Sequence, residues 1–202
     1  MRYAKRFPVE LFLILICVLT IGGCGTSEKT KFYILQPVVG PPLPASSAGE
    51  IVVGVGPVKL PEYLTRSQIV TRPGRNSLNL DEFNRWAEPL DQNFARVLAE
   101  DLASQLGTNR VAMYPWERSA GVQYQAKVDV ARFEGEAGGR AVLEARWIVL
   151  KGGTEITARH TVIEKTLADG SYETLVAAES QAVSDLGAEI ADAIRMDSHL
   201  PR

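Results

Sequence analysis

Three stretches of alternating apolar and polar residues, joined by short glycine turns, constrain the fold of this chain more than any other feature. In residues 122–130, apolar side chains occupy every second position and polar side chains stand between them. Gly138-Gly139 leads into a second such stretch around Trp147, and Gly152-Gly153 leads into a third at about residues 156–167. Such alternation is typical of strands with one face on the core, and tight glycine turns join antiparallel neighbours. The pattern therefore predicts an antiparallel meander with one wet face.

Two helices are predicted beside these strands. The stretch Leu90–Leu106 has apolar residues at three- and four-residue spacing, with Pro89 suited to the first turn and Gly107 suited to the left-handed end. A second helix is expected after Ser171, a plausible N-cap, because an apolar stripe runs through residues 175–194. Its small alanines should let this helix lie close to a sheet.

Shorter apolar runs in the first half of the chain predict further strands at residues 32–35, 51–55, 68–72, 78–80 and 111–114. The run at 51–55 predicts a buried central strand that ends at Gly56-Pro57. One helical turn is expected at residues 61–64, just before the next strand. Together these elements predict a single α/β domain with two main helices on a largely antiparallel sheet.

Charge and cysteine content narrow the class of protein. The 202 residues include 22 basic and 24 acidic side chains, so the basic surface expected of a nucleic-acid-binding protein is missing. The two cysteines, Cys17 and Cys24, both lie at the N-terminus. The rest of the chain therefore has no disulfide, and packing must stabilise it.

The N-terminal segment has the organisation of a secretory signal. Arg2, Lys5 and Arg6 form a positive start, and the apolar run at residues 11–19 is about half as long as a membrane-spanning helix. Small residues then precede Cys24. The alternatives are an ordinary signal peptide with a chance cysteine and a weak N-terminal membrane helix.

Residues 21–24, with the sequence IGGC, resemble the lipobox of bacterial lipoproteins. In such proteins a peptidase cuts just before the cysteine, which carries acyl chains on its sulfur and its amine. We favour lipidation of Cys24, because residue types, their order and their distance from the N-terminus agree. Several acyl chains exceed the two signals that stable membrane anchoring needs.

The lipobox also suggests a destination and a domain plan. Gly25 follows the cysteine, where retention in the inner membrane usually requires Asp, so this sorting rule implies a lipid anchor in the outer membrane with the body facing the periplasm. We expect a signal peptide at 1–23, then a lipidated tether with a short strand and a proline-rich spacer at 24–49. The α/β domain is expected at 50–198.

The sequence has no pattern that predicts an enzyme, a metal site or a cofactor. Gly54-x-Gly56 follows a strand, as in a dinucleotide-binding loop, but the third glycine of that motif is missing and Pro57 prevents the helix that should follow. A strand end that needs the backbone freedom of glycine is therefore the better interpretation. His160 and His199 have no partners at ligand spacing. A pair of carboxylates that converges in space cannot be recognised from sequence, so an enzyme is possible but unsupported.

Residues 85–90, with the sequence RWAEPL, have two interpretations. Trp86 can pack against the start of the helix, Glu88 can favour its positive end, and Arg85 can pair with a carboxylate. The same residues could instead bind a partner. The sequence leaves both interpretations open.

A family resemblance follows from several ordered motifs. They are FYIL at 32–35, VGPVKLPEYL at 55–64, QIVTR at 68–72, RWAEPL at 85–90 and YPW at 114–116. In this order they resemble the PqiC/YmbA family, the membrane-anchored auxiliary lipoproteins of ABC-type transport systems. Thr65 departs from the Asp expected at that position.

The resemblance implies a fold and a function. The family fold is similar to the N-terminal domain of TolB, a mixed sheet with helices packed on it. The implied function is that of a non-enzymatic outer-membrane component of a mammalian-cell-entry (MCE) transport system for phospholipid or other hydrophobic molecules. An MCE-domain protein would dock on a ring of such lipoproteins. The expected contact residues are Leu60, Pro61, Tyr63, Leu64, Arg66, Arg85 and Trp86.

Two rivals and one structural alternative stay open. The loop at residues 60–66 could serve internal packing instead of an interface. A lipid carrier would hold an acyl chain in a deep apolar cavity of its own, whereas the docking protein would have a solid core and form a multimer. A periplasmic hydrolase would need clustered polar residues in a cleft.

Overall fold

The computed structural model of the chain describes residues 28–38, 51–136 and 139–198. They form eight strands, two α-helices and two short 3₁₀ turns. The α-helices are α1 (Leu90–Leu106) and α2 (Tyr172–Ser198), and the 3₁₀ turns are Glu62–Leu64 and Arg118–Ala120. The strands are β1 (Lys31–Tyr33), β2 (Val53–Lys59), β3 (Gln68–Gly74), β4 (Ser77–Trp86), β5 (Val111–Met113), β6 (Tyr124–Glu136), β7 (Arg140–Lys151) and β8 (Thr154–Thr166).

The strands form one mixed sheet around the long strand β6. Along one edge of β6 runs β7, which in turn pairs with β8, and both pairings are antiparallel. The other edge of β6 is shared, because β2 pairs in parallel with Tyr124–Asp129 and β3 pairs in parallel with Gly135 and Glu136. Beyond them lie β5 on β2, and β4 then β1 on β3. A gap in the strand pairing therefore opens beside residues 130–134.

The predicted meander is confirmed in strands β6, β7 and β8. On β6 and β7 the predicted inward positions are buried, among them Val128 and Trp147, while polar residues between them reach solvent. Gly152 and Gly153 both have positive φ, which is why two glycines form this tight turn. Strand β8 is mostly exposed to solvent and is the last strand of the meander.

Both helices are also confirmed. The first has the predicted bounds, Leu90–Leu106, and Gly107 ends it in the left-handed conformation with φ of 64°. The Ser171 hydroxyl accepts a hydrogen bond from the backbone N–H of Thr174 at 3.2 Å, which caps the second. The helices pack closely at Gly187, where an added Cβ would lie 3.3 Å from the Gln105 side chain.

Two strand predictions were wrong in their length. The prediction that the central strand ends at Gly56-Pro57 fails because β2 continues to Lys59, with an irregular register between Val55 and Val58. Proline has no N–H to give to a ladder, and this irregularity places Pro57 where no regular pairing is needed. The strand expected at 78–80 is β4, which extends to Trp86.

The two glycines of β2 have different roles, and only Gly56 needs the backbone freedom that was predicted for them. Gly56 has φ of 113°, so backbone freedom is required there. Gly54 lies inside the strand, and an added Cβ would come within 2.6 Å of the Trp116 ring. That aromatic ring, which meets Tyr114 edge-on, can cover β2 only because Gly54 has no side chain.

The N-terminal part of the described chain is packed onto the domain. Strand β1 pairs in parallel with β4, and Leu35 is fully buried in the core. Side chains of both helices hold the backbone that follows. Asn93 of α1 accepts from the N–H of Leu35 at 2.8 Å and donates to its carbonyl at 3.3 Å, and Ser180 of α2 accepts from the N–H of Gln36 at 3.2 Å.

Several sequence predictions lie outside the described residues. They concern the signal peptide, the lipobox with Cys24, most of the proline-rich spacer and the C-terminal tail. None of the helices in the described residues combines the length and the apolarity that crossing a bilayer requires.

Candidate functional site

The predicted contact loop, residues 60–66, lies at the gap in the pairing of β6. It connects the end of β2 at Lys59 with the start of β3 at Gln68, so it bridges the two strands that share this edge. Its middle forms the 3₁₀ turn Glu62–Leu64, which matches the helical turn predicted at this place. The sheet therefore presents the loop at a fixed position.

Three contacts hold the loop from inside. The Tyr63 hydroxyl donates a hydrogen bond to Glu134 Oε2 at 2.7 Å, and Leu64 is only 2% exposed in the core. The backbone N–H of Trp86 donates to the Ser67 carbonyl at 2.7 Å, which ties the end of the loop to β4. Because side chain and backbone are both held, the loop is a preorganised surface.

Glu134 is the centre of the polar cluster under the loop. Its side chain has no exposed surface and forms ion pairs with Arg72 and, at 3.1 Å, with Arg132. Burial, and then the hydrogen bond to Glu134, raise the pKa of Tyr63 to about 12, so this hydroxyl stays protonated at neutral pH. The partners of Glu134 are all side chains of the protein, so its role is to hold the loop in place from below.

The seven predicted contact residues differ in how much surface they offer. Arg66 is exposed, whereas Leu60 and Pro61 are partly buried. Tyr63 is half-buried and committed to Glu134. The exposed side of the loop thus consists of Pro61 and Arg66, together with the unpredicted Glu62 and Thr65. Leu64 contributes by filling the core and has almost no surface for a partner.

Arg85 and Trp86 point to opposite faces of β4. Trp86 is 6% exposed and belongs to the core, so for this residue the structural interpretation accounts for its position. The Arg85 guanidinium lies at the surface, where it pairs with Glu82 at 3.1 Å. Glu88, at the start of α1, pairs with Arg96 at 2.7 Å.

Side chains that could bind a metal ion are not grouped together in the described residues. Within residues 28–38, 51–136 and 139–198, no three His, Cys, Asp or Glu side chains are grouped so that they could hold a metal ion. His160 contacts Glu144 at 3.0 Å on the exposed face of the sheet.

Two buried carboxyl groups on the helices escaped the sequence analysis. Burial raises the pKa of Asp101 to about 7 and raises the pKa of Glu179 well above its usual value. Asp101 Oδ1 accepts from the N–H of Val38 at 3.0 Å, so it acts with Asn93 and Ser180 to hold the N-terminal segment. The sequence signal that could have identified them is that each is an acidic residue within the apolar stripe of its helix.

Three grooves indent the surface of the described residues, with volumes of about 350, 310 and 270 Å³. All three are partly open to solvent, and their linings include polar and charged side chains such as Arg72, Lys59 and Asp91. The core itself is filled by large buried side chains that include Trp147, Phe94 and Phe133.

Comparisons with known proteins agree with this architecture. The model of the family described as ABC-type transport auxiliary lipoprotein component matches residues 33–191. Intermembrane transport lipoprotein PqiC from Escherichia coli K12 is 27% identical over 188 residues, which cover 93% of this chain and 98% of that protein. The Shigella flexneri protein of the same name matches equally well.

Solved structures have the same fold. A crystal structure of an uncharacterized protein, 26% identical, superposes with a TM-score of 0.70 over 83% of this chain and 99% of its own. A Xanthomonas campestris protein, 19% identical, superposes with a TM-score of 0.69 over 85% of this chain and all of its own. The second likeness supports the fold alone.

Proposed function

Because the chain belongs to the family of ABC-type transport auxiliary lipoprotein components, we propose that it is a non-catalytic docking component of an MCE-type transport system. In this role it holds the outer-membrane end of a periplasmic path for phospholipid or other hydrophobic molecules. Energy for transport is supplied elsewhere in the system. The protein itself contributes a docking surface of fixed shape at the outer membrane.

The observation that carries this proposal is the rigid loop at residues 60–66. Buried Glu134 and the core hold it from below, while Glu62 and Arg66 stay exposed. A surface that is ordered before binding loses little conformational entropy when a partner arrives. Its mixed apolar and charged character suits a protein interface. The proposed contact set is therefore Pro61, Arg66 and the edge of Leu60, with Arg85 at its margin.

Anchoring is the second part of the proposal. Acylation of Cys24 attaches the protein to the outer membrane with its body in the periplasm. Labelling of growing cells with palmitate should place the label on the wild-type protein and leave Cys24→Ala unlabelled. A mature form that is unlabelled and found outside the membrane fraction would contradict this part.

Self-association into a ring is the third part. Met113 and Tyr114 are exposed large apolar side chains at edge strand β5, and the neighbouring Trp116 ring extends the patch. An edge strand with exposed apolar residues suits contact with another copy of the chain. The ring would present several copies of the contact loop to one partner.

Co-purification with the MCE-domain protein tests the docking surface. We expect Arg66→Glu to abolish co-purification without lowering the midpoint of thermal unfolding, because Arg66 lies on the surface. Arg75→Glu is the matched control, since Arg75 is an exposed cation on the β3–β4 turn outside the contact loop. Tyr63→Phe tests whether Tyr63 stabilises the loop or binds the partner, because it removes only the hydroxyl that bonds to Glu134.

Two outcomes would contradict the docking surface. One is binding by Arg66→Glu as tight as that of the wild type. The other is equal loss of binding in Arg66→Glu and Arg75→Glu, which would indicate a general effect of charge. A stability loss in Tyr63→Phe with binding intact would assign Tyr63 to packing alone.

A further inference from the structure

Two exposed phenylalanines lie close to each other at the β1 edge of the sheet, on β1 and on its neighbour β4. Phe32 is 66% exposed and Phe83 is 38% exposed, and Phe32 pairs with Arg85 across the parallel β1–β4 register. Phe83 lies two residues before Arg85, in an irregular part of β4 where the Asp81 side chain accepts from the N–H groups of Phe83 and Asn84. Tyr33 and Trp86, which follow Phe32 and Arg85 in their strands, point to the other side, where Trp86 is buried in the core.

The chemistry of this edge is that of a lipid headgroup boundary. Lys29 and Lys31 are exposed close to Phe32 in the chain, together with Glu28, and the nearby acidic Glu82 is already paired with Arg85. Apolar rings with cationic neighbours bind bilayer surfaces through the area they bury and through attraction to anionic lipids. A phenylalanine this exposed buries little apolar area in water, whereas it would bury more at a bilayer surface.

The length of the chain before β1 brings this edge to the membrane. Phe32 is eight positions after Cys24 in the chain. A chain of eight residues spans about 28 Å at most. Helix α2, with 27 residues, is about 40 Å long. Tyr172, at its start, lies close to Tyr33, since the ring centroids are 6.2 Å apart. The anchor therefore lies within about 28 Å of the β1 edge, whereas the far end of α2 is about 40 Å from the end that contacts this edge.

We propose that the β1 edge of the sheet, through Phe32 and Phe83, is a second membrane contact that seats the domain against the bilayer surface. The proposal rests on the anchoring of Cys24 in the proposed function. Acyl chains alone would leave the domain free to swing on its tether. The phenylalanine pair fixes which side of the domain faces the lipid, and so fixes which surfaces are left to face the periplasm.

Fluorescence quenching in vesicles tests the contact on the full mature lipoprotein. Because Cys24 is acylated and Cys17 leaves with the signal peptide, Phe32→Cys or Phe83→Cys carries one free thiol for an environment-sensitive dye. The matched control is Met196→Cys, since Met196 is 70% exposed near the far end of α2. The vesicles contain phosphatidylethanolamine, phosphatidylglycerol and a small fraction of lipid with a doxyl quencher near the headgroup.

We expect quenching and a blue-shifted emission for dyes at positions 32 and 83, and neither for the dye at 196. Phe83→Ser in the Phe32→Cys background should lose the quenching, whereas Met196→Ser in that background should keep it. Equal quenching at all three positions, or none at 32 and 83, would overturn the proposal. So would a blue shift without lipid quenching, because another protein would then cover the edge.

Two further readouts separate this proposal from the anchoring on which it rests. Mass spectrometry of the N-terminal peptide reports acylation, and flotation with the vesicles reports attachment. A protein that floats but shows no quenching would overturn the second contact and leave the anchor intact. A protein that is not acylated and does not float would overturn both.

Discussion

Asp101 is a buried residue whose protonation should affect the stability of the domain. Its Oδ1 accepts from the backbone of Val38, whereas its Oδ2 is buried without a hydrogen-bond partner. One turn further along α1, Gln105 Oε1 is also buried without a partner. A protonated Asp101 supplies a donor and Gln105 an acceptor, so the neutral carboxyl suits this site better than the carboxylate.

The raised pKa has a definite sign for stability. The carboxyl titrates at about 7 in the folded protein. In the unfolded chain it titrates at about 3.9. Between these values the folded state binds more protons, so this group makes the free energy of unfolding fall as the pH rises from about 4 to about 7. Above about pH 7 its effect is constant.

We predict that Asp101→Asn is more stable than the wild type at pH 8, by about 1–3 kcal/mol, with a difference that shrinks towards pH 4. The amide keeps the acceptor for Val38 and adds a donor where Oδ2 lacked a partner. Urea unfolding across this pH range measures it. The exposed Asp91, in the first turn of the same helix, provides the control Asp91→Asn. Parallel pH curves for wild type and Asp101→Asn would refute the prediction.

The N-terminal segment and the two helices form one structural element, although they are far apart in sequence. Asn93 bonds to both backbone groups of Leu35, and the separation along the chain is 58 residues. Asn93 is itself buried, so water cannot replace it. Removing its side chain would leave a buried N–H and a buried carbonyl without partners.

We therefore predict that Asn93→Ala lowers the free energy of unfolding by about 2–4 kcal/mol, since two buried groups lose their hydrogen bonds. Faster hydrogen exchange at the Leu35 amide should accompany the loss. Gln92→Ala is the matched control, because Gln92 is the exposed preceding residue of α1 and a comparable helix former. A loss of the same size in both variants would assign the effect to the helix and not to the segment.

Local signals decide which elements could be predicted from sequence. The bounds of α1 are those predicted, because its apolar spacing and Gly107 act within one helix. The parallel pairing of β1 with β4 could not be predicted, since it joins residues 53 positions apart and leaves no local pattern. At Pro57 the local rule that a proline ends a strand gave a wrong prediction, because a break in register lets the strand continue through the proline.

The candidate site was predictable only in part. The family motifs drew attention to the loop at residues 60–66, but apolar residues within them serve the core as well as the surface. Leu64 and Trp86 show this, since both are buried. The burial of Glu134 could not be expected from a charged residue in an alternating strand. Its partners Arg72 and Tyr63 reach it only through the folded sheet.

At the scale of the whole molecule, the sheet ends in three outer strands with different surroundings. Strand β1 lies near the start of the described chain, β5 has Met113 and Tyr114 exposed beside it, and β8 ends the meander. Helices α1 and α2 pack together, and α2 covers the inner face of the meander. An anchored domain of this shape can meet lipid at one edge and other proteins elsewhere without a change in its core.

The filled core leads to a last prediction, which separates docking from lipid carriage. An acyl chain carried inside the domain would need an enclosed apolar space, yet Trp147, Phe94 and Phe133 occupy the interior and the grooves open to water. Native mass spectrometry of the mature lipoprotein, released from detergent, should therefore give multimers of the acylated chain without stoichiometric bound phospholipid. One phospholipid per subunit that survives release would instead favour the carrier, because only an enclosed site retains lipid once the detergent is removed. Tyr114→Ser should shift the multimers towards single subunits if the β5 edge holds the ring together, and Arg75→Ser, a surface change elsewhere, should not.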